Sequence, residues 1–183
     1  MKEIALNILD ITRNSVRAGA KNIRIEIEES DQSNSLVLTI IDNGSGMDSD
    51  MLGKVGDPYT TSRTTRKVGM GIPLLKYHAE ITGGGLKIDS YPGKGTKLVA
   101  RFKKNHVDRQ PMGDIVGVLR LLFMSETRIE FEYRHKTDLG EFEFSTLEAK
   151  EVLEVTDLSD YNLSDDIANL LKENLKDIGA EIN

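Results

Sequence analysis

The 183-residue sequence contains no cysteine and no tryptophan, only four prolines, and just 5% aromatic residues. Without cysteine there are no disulfides, no thiolate metal sites and no cysteine nucleophile. Few aromatics in a chain that is 38% hydrophobic imply an aliphatic core, large enough to exclude global disorder. No apolar run approaches the ~20 residues needed to cross a bilayer, and Met1–Leu6 lacks the long apolar stretch and small-residue cleavage site of a signal peptide. The net charge is −6 and basic residues are not clustered, so a nucleic-acid backbone is not an expected partner. A soluble, cytoplasmic protein without a membrane partner is expected.

Residues 3–18 carry Ile4, Ile8, Ile11 and neighbouring apolar side chains at helical spacing, with Gly19 at the stop. Residues 23–28 alternate apolar and charged side chains, as a half-buried strand does, and 36–41 form a second strand. Residues 42–68 are rich in Gly, Ser, Thr and Asp with weak periodicity, which reads as a long functional loop. A helix over 72–81 and a strand pair over 86–90 and 97–102 follow. A polar shift at 105–111 marks the expected boundary between a domain over 1–104 and a further part over 105–183. The second part reads as a helix (113–124), a β-hairpin within 128–144 and helices over 146–154 and 165–178, the last capped by Ser164.

Three motifs carry chemistry. Asp10 and Asn14 lie four apart on the first helix, so both point the same way. One amide oxygen suffices to anchor a nucleotide-bound Mg²⁺, and a carboxylate one turn earlier can accept a proton. Taken alone, that spacing describes any solvated helix face. Asp42-Asn43-Gly44-Ser45-Gly46-Met47 follows a strand, placing a carboxylate where it can accept from an adenine amino group; Gly44 and Gly46 permit positive φ and close approach of a flat ring. Taken alone, it is an ordinary Asp-Asn-Gly turn. Gly69-Met70-Gly71 opens a helix whose free N–H groups attract phosphate, preceded by Tyr59-Thr60-Thr61-Ser62 and by Arg63, Arg66 and Lys67. There is no Gly-x-x-x-x-Gly-Lys-Ser/Thr loop.

The order of the three motifs resembles the GHKL superfamily of gyrase, heat-shock chaperone, histidine kinase and MutL-type ATPases, over residues 1–103. Asp10 to Ala20 looks like its N-box with a MutL-like continuation, Asp42 to Met47 like its first glycine box, and Gly69-Met70-Gly71-Ile72 and Gly93–Thr96 like the second glycine box and closing threonine. The resemblance implies an α+β, two-layer α/β sandwich of the Bergerat type with a C-terminal α/β extension, binding ATP and Mg²⁺. Asn14 would coordinate the metal and Asp42 the adenine amine. Gly44, Gly46 and Met47 would line the base pocket, and Thr96 would sit near Asp42. Thr60, Thr61, Gly69, Met70 and Gly71 would form the lid and phosphate contacts, with Lys67, Arg63 and Arg66 as alternative lid cations for the phosphates and Thr64 and Thr65 as turn formers. Asp10 stands where superfamily ATPases carry Glu and histidine kinases Asn, which implies slow hydrolysis with Asp10 as the catalytic base. Arg17, where the MutL branch has an acid, is expected to face solvent.

His78, His106 and His135 read as surface or packing residues, and no phosphoacceptor histidine module precedes the match, which disfavours an autophosphorylating sensor kinase. Nor is there room for the strand that usually precedes the first helix, so one hairpin strand is expected to pair with the vacant sheet edge. The implied function is a Mg-dependent ATP-binding switch with a mobile lid and slow ATPase activity. The alternatives are a serine/threonine kinase of the anti-sigma type or a non-catalytic adaptor. A protein partner and a homodimer belong to the same expectation.

Overall fold

The computed structural model describes residues 3–55 and 71–182. Six helices and six strands follow in the order α1 (Ile4–Arg17), β1 (Asn22–Ser30), β2 (Ser35–Asp42), α2 (Ser49–Lys54), α3 (Gly71–Ile81), β3 (Gly85–Tyr91), β4 (Gly95–Lys103), α4 (Ile115–Ser125), β5 (Glu130–Lys136), β6 (Glu141–Ser145), α5 (Thr146–Leu153) and α6 (Tyr161–Asp177). The strands form one sheet, β3-β4-β2-β1-β5-β6, antiparallel except for the parallel pair β1–β5. Helices α1 and α3 pack on the sheet and on each other, α4 packs on α1, and α6 on α4, giving the α+β sandwich expected.

Strand register sorts the side chains into rows. Ile88, Leu98, Ile40, Ile25, Tyr133 and Phe144 are successive cross-strand neighbours. The next row is Leu86, Ala100, Leu38, Ile27, His135 and Phe142. With Ile4, Ile8 and Ile11 of α1 and Leu75 of α3 the apolar members of both rows form one continuous core. Burying a Leu or Ile side chain contributes roughly 1.5–3 kcal/mol before ordering costs. Outward positions are charged; Arg24 pairs with Glu132, and Arg134 with Glu28 and Glu141.

Residues 130–145 complete the sheet. Strand β5 lies along β1 in register from Asn22↔Glu130 to Glu28↔Lys136, so the hairpin covers the edge that β1 would otherwise expose. The segment after β4 also serves α1, whose first amides have no side-chain cap. The Ile4 and Ala5 N–H groups donate instead to the carbonyls of Pro111 (3.0 Å) and Met112 (2.8 Å).

Three expectations change. The stretch after Asp42 contains helix α2, too short to show periodicity and capped by the Asp48 carboxylate, which accepts from Met51 N–H. Helix α6 starts at Tyr161, with Asp160 as its cap; Ser164 lies inside, its hydroxyl donating to the Tyr161 carbonyl and accepting from Arg120. The core is aliphatic under α1 but aromatic at the C-terminal end, where Phe123 stacks on Phe144 and tilts against Phe131, at 5.3 and 5.5 Å between ring centres.

At the sheet end far from the nucleotide motifs, His135 is fully buried and is a packing residue. Its Nε2 lies 2.7 Å from Glu29 Oε1 and its Nδ1 2.6 Å from the Tyr133 hydroxyl. Burial and the Glu29 charge push the Tyr133 phenol well above its ordinary range, so it stays neutral. Glu29 also accepts from Glu181 N–H at 3.0 Å and has Lys104 Nζ 3.3 Å from its other oxygen. Burial pushes the Glu29 carboxyl up, but His135, the Glu181 amide and Lys104 outweigh it and hold the group below its ordinary value.

Candidate functional site

Position 42 ends β2 on the helix-facing side, where register continues the row as Ser90, Thr96, Asp42 and Ile23. A polar row thus borders the apolar ones. Asp42 is buried; its Oδ2 accepts from the Ser15 hydroxyl of α1 at 2.6 Å and its Oδ1 from Gly44 N–H at 2.9 Å. The loop that follows is tied on three sides. Asn43 Oδ1 accepts from Lys21 and Asn22 N–H, Ser45 N–H donates to the Ala18 carbonyl, and Gly93 N–H donates to the Ser45 carbonyl.

Gly46 has φ +65° and its missing Cβ would lie 1.9 Å from the Tyr91 carbonyl oxygen. Only glycine fits there. Gly46→Ala is expected to destabilise the fold by at least about 2 kcal/mol, from left-handed strain plus the clash; equal urea midpoints for parent and variant would contradict this. Gly44 corrects an expectation. It does not adopt positive φ, and a Cβ there would meet Ala18 at 2.9 Å, so its small size serves packing between the loop and the end of α1.

These elements enclose a cleft of about 760 Å³. Asp42, Thr96, Ile40 and Leu98 line its sheet side, Asn14 and Arg17 its α1 side, and Gly46, Met47 and Met51 the loop and α2. Asn14 is half-buried, and its Oδ1 accepts from Arg17 Nη1 at 3.3 Å. Arg17 is exposed, as expected, and also lines the cleft. Asp10 sits at the first turn of α3, where a Cβ on Gly71 would come within 1.8 Å of its Oδ2. Helix α3 therefore packs so close to Asp10 that a side chain at position 71 would displace the carboxylate. Thr60, Thr61, Arg63, Thr64, Thr65, Arg66, Lys67, Gly69 and Met70 lie outside the described residues.

Two residues escaped motif reading. Ser15 orients Asp42. Ser90, also buried, accepts from Met47 N–H (2.9 Å), donates to the Gly95 carbonyl (3.1 Å) and lies 2.9 Å from the Thr96 hydroxyl. Periodicity alone puts Ser90 on a strand, and only the β3–β4 register brings it behind Thr96. Among the described residues, no three acidic or histidine side chains gather as a metal cage. A lone amide oxygen such as Asn14 suits instead a hard cation that retains most of its waters and is shared with phosphates.

Residues 2–106 match the family profile described as "Histidine kinase-, DNA gyrase B-, and HSP90-like ATPase". The chain is 26% identical over 123 residues to the non-motile and phage-resistance protein of Caulobacter vibrioides, covering 64% of this chain and 15% of that protein. It is 34% identical over 89 residues to the sensor protein kinase FleS of Pseudomonas aeruginosa (49% and 22%), and 25% identical over 104 residues to sporulation kinase A of Bacillus subtilis (57% and 16%). The chain thus spans less than a quarter of the length of each of these relatives. The crystal structure of the N-terminal domain of a DNA repair protein superposes with a TM-score of 0.53 at 16% identity, covering 80% of this chain and 52% of that one, a likeness of fold. Among the described residues no helix is long and apolar enough to cross a membrane.

Proposed function

The chain belongs to the histidine kinase-, DNA gyrase B- and HSP90-like ATPase family, and from that premise we propose that it is a Mg-dependent, ATP-gated switch with slow hydrolytic activity. The observation that carries the reading is the single cleft shared by Asp42 at its sheet end and Asn14 on α1, with apolar Ile40, Leu98 and Met47 between them. An adenine ring suits the apolar part, with its 6-amino group donating to the Asp42 carboxylate. Asn14 Oδ1 would hold Mg²⁺ once the long bond from Arg17 is released. A bound Mg²⁺ supplies neutralisation of phosphate charge. Arg17, one turn further along α1, places a cation beside the same oxygens. Thr60, Thr61, Lys67, Gly69, Met70 and Gly71 belong to the phosphate side of this reading.

Asp10, held against the first turn of α3, is the proton acceptor for an attacking water or hydroxyl. Its side chain is one methylene shorter than Glu, and displacing a catalytic group by ~1 Å costs on the order of a hundredfold, hence the slow turnover. Residues 1–104 carry the nucleotide chemistry in this reading, and 105–183 brace the sheet and offer a docking surface to a protein partner.

Asp10→Asn is expected to lower phosphate release from ATP by about a hundredfold, with nucleotide affinity within a factor of three of the parent. Equal hydrolysis rates would remove Asp10 from this role. The acid at position 10 also favours a second reading, transfer to a serine or threonine hydroxyl of a partner. Incubation with γ-labelled ATP and cell extract separates the two, since a labelled extract protein signifies transfer and free phosphate alone signifies hydrolysis.

A further inference from the structure

Behind the cleft wall, Ser90 joins three elements through one hydroxyl, and the protons there can be counted. A serine hydroxyl has one proton and two lone pairs. Met47 N–H occupies one pair at 2.9 Å. The Gly95 carbonyl at 3.1 Å has no proton to offer and takes the one Ser90 has. The Thr96 hydroxyl at 2.9 Å is left to donate to the second lone pair. Its proton therefore points into the protein, and only its lone pairs face the cleft it lines. The opposite assignment, Ser90 donating to Thr96, leaves two acceptor oxygens facing each other at the Gly95 contact. Asp42 beside Thr96 is likewise an acceptor, each of its oxygens taking one bond, from Gly44 N–H and from the Ser15 hydroxyl. The end of the cleft is thus a surface of acceptors.

We propose that Ser90 is a specificity-determining positioning residue: by holding the Thr96 proton away from the cleft, it makes this corner accept a 6-amino purine and reject a 6-oxo purine. The inference rests on the reading of the cleft as a purine-nucleotide site and deepens it. Asp42 attracts the amine directly. Ser90 acts through Thr96, closing the one route by which the corner could offer a proton to a 6-oxo group. With Ser90 removed, the Thr96 hydroxyl loses its acceptor and can turn to donate into the cleft, a gain of one hydrogen bond for the oxo purine.

The test is the ratio of ATP to ITP affinity in the intact protein, measured by competition against a fluorescent nucleotide, with the melting temperature recorded for each variant. Ser90→Ala is expected to narrow the ratio about tenfold, the scale of one gained hydrogen bond, chiefly through tighter ITP binding. Ser90→Thr, which keeps the hydroxyl, retains the parental ratio. Adding Thr96→Val to Ser90→Ala removes the ITP gain. Should Ser90→Ala fail to fold, the near-isosteric Ser90→Cys serves in its place, with narrowing in the same direction. Equal weakening of ATP and ITP would mean that Ser90 merely supports the loop, and would overturn the proposal while leaving ATP binding intact. A parent that binds neither nucleotide would overturn the underlying reading as well.

Discussion

Asp42→Asn is expected to lower ATP affinity by about a hundredfold while leaving a folded protein. The carboxylate is buried and accepts on one oxygen from Gly44 N–H and on the other from the Ser15 hydroxyl. An amide in its place has one acceptor and one donor end. If the donor end faces Gly44, two N–H groups oppose each other and the turn is disturbed. If it faces Ser15, the hydroxyl can reverse and accept, but the group then offers N–H protons where the adenine amine must donate. A hydrogen bond to a charged group contributes about 1.5–3 kcal/mol, and facing two donors adds the desolvation of both. Titration calorimetry with Mg·ATP measures the loss, and circular dichroism confirms the fold. Parental affinity in a folded Asp42→Asn protein would displace the adenine from this end of the cleft and send the search for the base to another wall.

His135→Phe is expected to cost about 3 kcal/mol of folding stability, the upper end of the range for leaving a buried group without its hydrogen-bond partner, because Glu29 is a carboxylate. Phenylalanine fills the ring volume but leaves the Glu29 carboxylate and the Tyr133 hydroxyl each without its ring-nitrogen partner, both in the interior. The Glu29 charge also fixes a pH dependence. Its carboxyl is held below the ordinary value of 4.5, so folding is the state that favours ionisation. The stability this confers is complete at pH values above 4.5 and drains away as the pH falls through the lower folded-state value. Urea unfolding at neutral pH and at stepped acidic pH checks both points. Glu29→Gln should flatten the acid limb. A loss of less than about 1 kcal/mol in His135→Phe would reduce the cluster to incidental packing.

Much of the fold could be read directly. The 3.6-residue spacing of Ile4, Ile8 and Ile11 and the alternation of Ile23, Ile25 and Ile27 are local patterns, and they place α1 and β1 to within a residue or two. Helix α2 was not legible because six residues show less than two turns of period. The cap of α6 was misplaced because Asp160 and Ser164 lie four apart, and either can accept from a helix-start amide. The hairpin's place on β1 was legible for a physical reason, since an uncovered edge strand invites pairing and an alternating hairpin is able to supply it. His135 shows the opposite limit. A histidine in an alternating strand looks the same whether it meets water or, as here, Glu29 from a strand more than 100 residues away in sequence.

The candidate site divides along the same line. By itself the sequence determined the residue types and their order: an acid and an amide one helical turn apart, a carboxylate at a strand end, and glycines where backbone must approach closely. These are decided within a few residues of chain, and chemistry limits what each type can do. Only the tertiary structure decided which of them share a cleft and which way their hydrogen bonds run. Ser15 reaches Asp42 across 27 residues, Ser90 reaches Met47 across 43, and the exposed Arg17 donates to Asn14 at the edge of the cleft. Register across β2, β4 and β3 creates the polar row, and a one-residue slip would turn it to the opposite face. Proton placement is a property of neighbours, and neighbours are set by packing.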